Sequence, residues 1–435
     1  MPLLAVCLQK FLNTECKNMK LLFLLLDLPD LGLGGGGFYA DLIKEMSNRG
    51  HDVFVICKSD EKKVAGRYKE GTVSAIRVNV PFLKRNTSLF KKGIGSLLMN
   101  PSYIKAYKNY LQKEDFDYVF IPTPPATLVN VAKRIVTKKK TKVYVILRDI
   151  QPECADRKPS QEVLSRADVY DECKKPFGIH PVARRLLYNK SQALYKIADI
   201  IGCMTPGNAA FVKKIAPYID YSKLKVLPNW YSEPERIAVN EQSVREKYGL
   251  TGKFVAIFGG NIGPQQAVWN IAQLAKMNLD KKDAVFLVVG RGVAKRTLED
   301  MAIKDNLTNM MFLEYMPRQD YEAILQTADL GMISIDEKYK VPTSPSKIIG
   351  YMALAKPVLA MFNKGNDYGE FYIDRPGCGL WSVDLDNQKM QENFEWFYTH
   401  PQERIAMGRA GYYYYKEHFT AKKVSDELCK QLKNV

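Results

Sequence analysis

The chain has 435 residues, 46% of them hydrophobic and 26% charged, and its formal net charge is +17 at pH 7. This length leaves room for two domains, and the balance of apolar and charged residues is that of a globular protein. The longest apolar run, Leu21–Leu26, is far shorter than the about 20 residues that a transmembrane helix needs, which argues against a membrane-spanning helix.

The positive charge and the cysteines narrow the class of protein further. No nucleic-acid-binding motif accompanies the charge, so an anionic membrane surface and anionic substrates explain it better. The eight cysteines are scattered without metal-type pair spacing, which indicates free thiols in a reducing cytosol and no metal site. Residues 1–18 have few charges and no cleavage pattern, and we interpret them as a disordered extension or start-site artefact, not a signal peptide.

Strands and helices alternate along the first half of the chain, which predicts a parallel, doubly wound sheet. The first helix is expected at Phe38–Asn48, where Gly50 ends it, and Pro228-Asn229-Trp230 begins a linker. The strands are expected at Leu21–Leu26, Asp52–Cys57, Val73–Val78, Tyr118–Ile121, Val143–Leu147, Ile200–Cys203 and Lys223–Leu227.

Two places in this half are candidates for contact with a ligand. Gly34–Gly37 follow the first strand, and glycines there permit a close approach because they have no side chain; a flexible turn is the alternative interpretation. Arg148 and Asp149 stand at the end of a later strand. In open parallel sheets, ligands bind beyond the carboxyl ends of the strands.

A basic and aromatic segment follows the third strand. Its apolar side chains suit a bilayer interface with lysines at the headgroups, although a helix that packs on its own domain with a solvated basic face would have the same pattern. Gly93, Gly95 and Pro101 predict two short helices in place of one. The cations are Lys84, Arg85, Lys91, Lys92, Lys105, Lys108 and Lys113.

In the second half, a buried strand at Lys253–Phe258 leads into a glycine-rich turn that contains Gly260, Asn261 and Gly263. A helix is expected from about Ala267 to Met277. Strand, glycine-rich turn and helix together are typical of phosphate-binding α/β domains, although a tight turn also needs glycine for structural reasons alone. A further strand, Ala284–Val289, ends in Gly290-Arg291-Gly292.

The segment VPTSPSKIIGYMALAKPVLA, Val341–Ala360, begins a helix with Ser-Pro-Ser-Lys. Ser344 or Ser346 can cap this helix, and Pro345 fits its first turn. The start of a helix presents unbonded N–H groups and the positive end of the dipole, and Lys347 adds a cation. This is a possible seat for a diphosphate, with an ordinary capped helix as the alternative.

After Pro401, we expect two helices at Gln402–Ala410 and about Thr420–Leu432, separated by the tyrosine run Tyr412–Tyr415. The tyrosines are interpreted as packing residues, not as a sugar platform, because aromatic stripes are usually buried. Val424, Leu428 and Leu432 recur every four residues, which suits docking of one helix face.

These segments, in their order, resemble the retaining glycosyltransferases of family 4, which have the GT-B fold. The likeness extends from about Lys20 to Leu432 and is nearest to the branch that makes bacterial capsule and O-antigen polysaccharides. The segments that carry it are GGGGFYADLIKEMSNRGHDVFVI, LRDIQPE, KIADIIGCMTPGNAAFVKKI, KVLPNW, FGGNIG, VVGRG, ADLGMISI, SPSKIIGYMALAKPV and GCGLW.

The resemblance implies two Rossmann-like domains that face each other across a cleft: an acceptor domain at 19–228 and a nucleotide-sugar domain at 229–411. Residues 412–435 are then a helix that crosses back to the first domain. The implied activity is hexosyl or N-acetylhexosaminyl transfer from a UDP-sugar to a glycan or polyprenyl-linked acceptor, on the cytoplasmic face of the membrane. The leaving phosphate would help deprotonate the acceptor, so neither a carboxylate nucleophile, as in glycosidases, nor a metal or other cofactor is expected.

The resemblance also assigns roles to residues. Lys347, Arg148 and Asp149 are expected to be catalytic. Lys84, Arg85, Lys91 and Lys92 are expected at the membrane or the acceptor. The residues expected to bind the donor are Gly35, Gly36, Gly260, Asn261, Gly263, Arg291, Ser346, Lys347 and Gly350.

The chain departs from the family pattern in ways that keep a second interpretation open. The two glutamates of the phosphate-helix segment are replaced by Pro342 and Gly350, and the basic pair after the glycine-rich turn by Asn261 and Gln265 or Gln266. Gly350 leaves the ribose without its usual carboxylate. The alternative is therefore an inactive homologue that binds a nucleotide sugar or serves as an assembly subunit.

Overall fold

The computed structural model describes residues 18–28, 38–60, 63–81, 89–136, 140–153, 158, 160–176, 178–234, 240–342 and 345–433. Within these residues, the strands form two separate sheets, and helices cover both faces of each. Each sheet has its own apolar cores, which lie between the sheet and those helices.

In the first domain, the described strands form a sheet in the order β3-β4-β2-β1-β5-β6-β7-β8. The pairs are parallel apart from β3, which is antiparallel at the edge. Its strands are β1 Lys20–Leu24, β2 Asp52–Lys58, β3 Gly66–Glu70, β4 Val73–Val78, β5 Tyr118–Thr123, β6 Lys142–Leu147, β7 Ile200–Cys203 and β8 Leu224–Val226. Its helices are α1 Phe38–Asn48, α2 Leu89–Ala106, α3 Val129–Val136, α4 Gln161–Ser165, α5 Asp171–Lys174, α6 Pro181–Ile197 and α7 Pro206–Ile215.

The second domain has a parallel sheet in the order β11-β10-β9-β12-β13-β14. Its strands are β9 Phe254–Asn261, β10 Ala284–Arg291, β11 Met310–Leu313, β12 Leu330–Ser334, β13 Val358–Phe362 and β14 Gly379–Val383. Its helices are α8 Glu241–Lys247, α9 Trp269–Met277, α10 Lys295–Lys304, α11 Arg318–Thr327, α12 Lys347–Ala353, α13 Asn387–Thr399 and α14 Pro401–His418, and α15 Ala421–Lys433 follows.

The C-terminal helix α15 packs on the first domain, as predicted. Val424, Leu428 and Leu432 are buried in one cluster with Leu21 and Phe23 of β1. The four-residue spacing puts the three apolar side chains on one helix face. The predicted architecture, two doubly wound domains with a C-terminal helix that returns to the first, is thereby confirmed.

Two predicted helix boundaries are wrong. The basic segment forms one helix, α2, in spite of Gly93, Gly95 and Pro101, and it continues into a π-helix at Tyr107–Leu111. Its buried side chains, among them Met99 and Tyr103, pack on the sheet, so tertiary contacts outweigh weak local propensity.

The tyrosine run likewise does not separate two helices, because it lies inside α14. Tyr415 is fully buried and Tyr413 is 67% exposed. The interpretation as packing residues therefore holds for Tyr415 and is wrong for Tyr413. The helix winds these neighbouring side chains onto different faces, which a run of one residue type does not reveal.

A segment that follows the first domain's strand β6 crosses to the second domain. Val163, Val169 and Cys173 are buried in a cluster of the second domain that includes Trp269. Arg166 donates to the Leu385 carbonyl at 2.6 Å, and the Tyr170 hydroxyl donates to Asp305 at 2.9 Å. Helices α4 and α5 thus form a strap across the two domains.

Candidate functional site

A cavity of about 350 Å³ lies where the two domains meet. The second domain supplies most of its wall, and α1 of the first domain and the linker after β8 supply the rest. The lining residues are Phe38, Asp41, Trp230, Tyr231, Ser232, Gly259, Gly260, Val289, Gly290, Tyr315, Met316, Arg318, Tyr321, Leu325, Ser346, Lys347, Gly350 and Tyr351.

The cavity lies at the carboxyl ends of the parallel strands, where ligands bind in sheets of this type. Strands β9 and β10 pair in register through Gly260 and Gly290 to the last pair, Asn261 and Arg291. Gly290 has a φ of +140°, and a Cβ atom there would lie 2.0 Å from the Gly260 carbonyl oxygen. Only glycine permits this approach, so the glycine-rich strand ends shape the cavity wall.

Lys347 is the cation at the start of the helix that faces this wall. Its Nζ donates to the Asn261 carbonyl oxygen at 3.1 Å and to Gln266 Oε1 at 2.7 Å. The same atom lies 4.1 Å from the centre of the Phe258 ring. Burial against these groups lowers the pKa of Lys347 to about 7, because neutral oxygens compensate the charge less than water does.

The local geometry of the predicted phosphate helix differs from the prediction. The helix begins at Lys347, so Pro345 precedes it and does not lie in its first turn. Ser346 occupies the N-cap position, but its side chain makes no capping bond, and Ser344 lies outside the described residues. Ser346 lines the cavity, and its side chain does not cap the helix.

Gly350 faces the cavity from the next turn of α12. A Cβ atom at this position would lie 3.3 Å from Cε2 of Tyr231, so the tyrosine ring packs directly over the glycine. The Tyr231 hydroxyl donates to Glu322 Oε1 at 2.7 Å. The Arg318 guanidinium lies 4.4 Å from the centre of the Tyr231 ring and donates from Nε to the same Glu322 oxygen at 2.6 Å.

Of the second-domain residues predicted to bind the donor, Gly260, Ser346, Lys347 and Gly350 line the cavity together. Asn261 contacts the site through its carbonyl oxygen, which accepts a hydrogen bond from Lys347. The Asn261 side chain lies against Gly263. Arg291 is not among the lining residues.

The three cations predicted at the active site, Lys347, Arg291 and Arg148, do not meet at one point. Arg291 stacks on the ring of Tyr315 at 4.0 Å, and Arg148 stacks on the ring of Phe38 at 3.7 Å; both rings line the cavity. Asp149 lies outside the lining, and burial raises the pKa of its carboxyl above the usual value. The structure therefore places Arg148 and Asp149 behind the first-domain wall.

Several predicted residues cannot be located in this way. Gly35, Gly36, Lys84 and Arg85 lie outside the described residues. Lys91 and Lys92 fall within α2, whose path is described there, but their side chains are not. Their predicted roles remain predictions.

Sequence reasoning missed Tyr231, Arg318 and Glu322. The only signal was the position of Tyr231 directly after Pro228-Asn229-Trp230, where the linker begins. Nothing in the sequence links the linker to helix α11, which carries Arg318 and Glu322. The three meet because the linker runs past the carboxyl end of the second sheet.

The two domains also contact each other through residues that do not line the cavity. The Asp367 carboxylate accepts hydrogen bonds from the Thr205 hydroxyl at 2.8 Å and from the Gly207 N–H at 2.7 Å. Asn208 donates to the Pro342 carbonyl at 2.7 Å. A second-domain carboxylate thus caps the start of α7, where the helix dipole favours negative charge.

Two further observations on the described residues concern membrane spans and metal ligands. None of their helices is both long enough and apolar enough to cross a bilayer. Among these same residues, no group of three or more His, Cys, Asp or Glu is placed to hold a metal ion. Metal independence remains a prediction.

No family model matches this chain. It is similar in sequence to curated glycosyltransferases, which it matches over part of their length. A region of 225 residues is 27% identical to a probable glycosyltransferase, WbjE, of Pseudomonas aeruginosa, and covers 50% of this chain and 54% of that protein. A region of 161 residues is 27% identical to WcaI of Escherichia coli, a putative colanic acid biosynthesis glycosyl transferase, and covers 35% and 38% of the two chains. The chain thus spans about half the length of WbjE and a smaller share of the length of WcaI.

Solved structures share the whole fold. Sucrose-phosphate synthase from Thermosynechococcus elongatus aligns with a TM-score of 0.70 at 13% identity, over 96% of this chain and 99% of that one. HepE from Anabaena, solved with UDP and glucose, aligns with a TM-score of 0.66 at 13% identity, over 96% and 100%. At such identities the likeness concerns architecture, and the architecture of this chain is the GT-B fold.

Proposed function

We propose that this protein is a retaining glycosyltransferase of the family 4 type. It would transfer a hexosyl or N-acetylhexosaminyl group from a UDP-sugar to a glycan or polyprenyl-linked acceptor in polysaccharide biosynthesis. One observation carries the proposal: Lys347, with its pKa lowered to about 7, stands at a helix start in a cavity walled by glycine strand ends. This combination suits a diphosphate. The groups that contact Lys347 are neutral, so no carboxylate of the protein neutralises its charge in place of the ligand.

The comparisons support glycosyl transfer, a role in polysaccharide biosynthesis and a uridine nucleotide donor. WbjE and WcaI are named as glycosyltransferases, WcaI in colanic acid biosynthesis, and HepE was solved with UDP and glucose. The mostly apolar cavity is of a size and character that suit a nucleoside. The part of the cavity lined by Tyr321 and Tyr351 is the proposed binding site of the base and ribose.

The proposed chemistry assigns Lys347 to the leaving group. When the bond from the sugar to the diphosphate breaks, negative charge grows on the phosphate oxygens, and a cation held in place stabilises that charge more than it stabilises the substrate. Arg148, stacked on Phe38, and Asp149 are the proposed contribution of the first domain on the acceptor side. The protein would work at the cytoplasmic face of the membrane.

The test is binding and turnover in the wild type and in Lys347→Ala. A thermal-shift screen with UDP, GDP and their sugars identifies the nucleotide; a ligand at about 100 times its Kd stabilises the fold by about 2.7 kcal/mol. Lys347→Ala should lower the transfer rate at least about tenfold, because hydrogen bonds to charged groups contribute about 1.5–3 kcal/mol.

Lys356→Ala is the matched control. Lys356 is also a second-domain lysine whose pKa burial lowers, and its Nζ donates to the Gln326 carbonyl at 2.6 Å, but it does not line the cavity. Its replacement should leave transfer unchanged in protein that remains folded. An unchanged rate in Lys347→Ala would remove this lysine from the site, and a wild type that binds nucleotide sugars without any turnover would point to the inactive homologue.

A further inference from the structure

The main chain of Tyr231 is bonded into the place where the chain passes between the domains. Its N–H donates to the Phe419 carbonyl at 3.0 Å, and it forms an isolated parallel bridge with Thr420. The buried Tyr415 hydroxyl donates to the Tyr231 carbonyl at 3.1 Å. Phe419 and Thr420 join α14 to α15, so Tyr231 ties together the two chain crossings between the domains.

The side chain of the same residue lies in the cavity. Its ring packs over Gly350, where even a Cβ atom would be 3.3 Å from the ring. Its hydroxyl is bonded to Glu322, and Arg318 covers its face. Arg318 also donates to the carbonyl oxygen of the next residue, Ser232, at 3.2 Å.

The neighbouring Ser232 extends this connection to the first domain. Its hydroxyl is hydrogen-bonded to the Asp41 carboxylate of α1, and both residues line the cavity. A displacement of the Tyr231 ring therefore reaches both domains through the main chain of two consecutive residues. The packed contact with Gly350 leaves the ring little freedom to yield in that direction, because packed interiors resist small displacements.

We propose that Tyr231 is a positioning residue that couples nucleotide binding in the cavity to the relative orientation of the two domains. A nucleotide that packs against the Tyr231 ring moves the ring, and the main-chain hydrogen bonds of Tyr231 to Phe419 and Tyr415 transmit the movement. This inference rests on the proposed function, since it takes the cavity to be the nucleotide site. Its consequence is that donor binding aligns Arg148 and Asp149 with the second domain.

The experiment measures the distance between two spin labels with and without saturating UDP. The labels are genetically encoded at positions 69 and 389, which are exposed and lie one in each domain. In the wild type, UDP should change the mean separation. In Tyr231→Ala, saturating UDP should produce less than about half of that change, whereas Tyr231→Phe, which keeps the ring, should restore most of it.

Tyr315→Ala is the matched control, because Tyr315 also lines the cavity but belongs to the loop before α11 and not to either chain crossing. It should weaken UDP binding and still give the full change in separation at saturation. Gly350→Ala tests the route without removing Tyr231: the added Cβ should push the ring and change the separation in the absence of UDP.

The outcomes separate the inference from the proposed function. If UDP binds and Tyr231→Ala responds like the wild type, or if Gly350→Ala leaves the separation unchanged, the coupling role is wrong and the nucleotide site stands. A wild type that binds UDP without any change in separation also overturns the coupling. If neither UDP nor any other nucleotide binds to the wild type, the proposed function fails, and the inference fails with it.

Discussion

Lys347 shows how a tertiary environment changes the chemistry of a single residue. The sequence identifies a lysine after a serine at a helix start, but it does not say what the ammonium group will contact. In the structure the contacts are the Asn261 carbonyl oxygen, the Gln266 amide oxygen and the Phe258 ring. None of these carries a full negative charge, which is why burial lowers the pKa of Lys347 to about 7.

We predict that UDP binding takes up a proton. Above a pKa of about 7 Lys347 is mostly neutral, and a bound diphosphate favours the charged form and raises its pKa. Affinity should therefore fall as the pH rises above about 7. Titration calorimetry at about pH 8, where the terminal phosphate of UDP is already ionised, in two buffers of different ionisation enthalpy measures the uptake.

Lys347→Ala provides the comparison for this measurement. The variant should show no proton uptake beyond that of UDP itself. Equal uptake in the wild type and the variant would assign the proton to another group and would contradict the role given to the lowered pKa.

Gly350 gives a second prediction about a single position. Judged from the sequence, glycine leaves a gap that a glutamate would fill. In the structure the gap is occupied by the Tyr231 ring, which lies 3.3 Å from the place that a Cβ atom would take. Gly350→Glu should therefore weaken UDP binding or leave it unchanged, although helix propensity favours glutamate over glycine by up to about 1 kcal/mol.

The double variant Gly350→Glu with Tyr231→Ala makes room for the carboxylate. It should bind UDP more tightly than Gly350→Glu alone, as calorimetry can measure. Tighter binding in the single variant would mean that the Tyr231 ring moves aside without cost, which would contradict its close packing over Gly350.

Helices α2 and α6 show which properties of an element the local sequence carries. The basic and apolar composition of α2 is visible in the sequence, but its continuity depends on packing of Met99 and Tyr103 against the sheet. The first half of α6 has exposed apolar side chains: Val182 is 71% and Leu186 is 43% exposed. Arg184 and Arg185 lie beside them in the sequence, so the first domain has a second basic and apolar surface on α6.

We predict salt-dependent binding to anionic vesicles through the segment that begins before α2. Replacing Lys84, Arg85, Lys91 and Lys92 with glutamine should weaken binding by about 1 kcal/mol per charge close to the surface. Cosedimentation with vesicles that contain phosphatidylglycerol measures the effect, and the basic charge of α6 will retain part of the binding.

The control replaces four exposed second-domain lysines, at 282, 304, 364 and 389, and keeps the net charge equal in the two variants. It should bind like the wild type. Equal losses in both variants would indicate a general charge effect, and equal binding of the wild type to neutral and anionic vesicles would contradict the membrane surface.

The two domains are held together at several points along the molecule. The chain crosses at the linker, crosses back before α15, and sends the α4–α5 strap onto the second domain. Asp367 adds a contact across the cleft at the start of α7. Stability and domain orientation are therefore linked, because the elements that cross are also buried in the cores of the opposite domain.

We predict that Leu428→Ala destabilises the protein by about 2–5 kcal/mol, the usual cost of removing a large buried side chain. Leu428 is fully buried against β1 residues of the first domain. Urea denaturation measures the loss, and Lys430→Ala, an exposed change on the same helix, should lie within about 0.5 kcal/mol of the wild type. Similar midpoints for the two variants would show that α15 does not support the first domain.

The sequence by itself determined the alternation of strands and helices, the glycine strand ends at Gly260 and Gly290, the cation Lys347 and the apolar face of α15. These follow from periodicity and from the chemistry of single residues, which act over a few positions of the chain. The tertiary structure decided the rest. It set the continuity of α2 and α14, the place of the strap, and the meeting of Tyr231, Arg318 and Glu322 beside Gly350.

The physical reason is the range of the interactions. A helix boundary can be overridden by burial against a distant sheet, and a cavity wall is assembled from segments far apart in the chain. Tyr231 and Glu322 are 91 positions apart, and Asn261 and Lys347 are 86 apart. No local pattern contains such pairs, so the lowered pKa of Lys347 and the linker ring over Gly350 exist only once the second domain has folded.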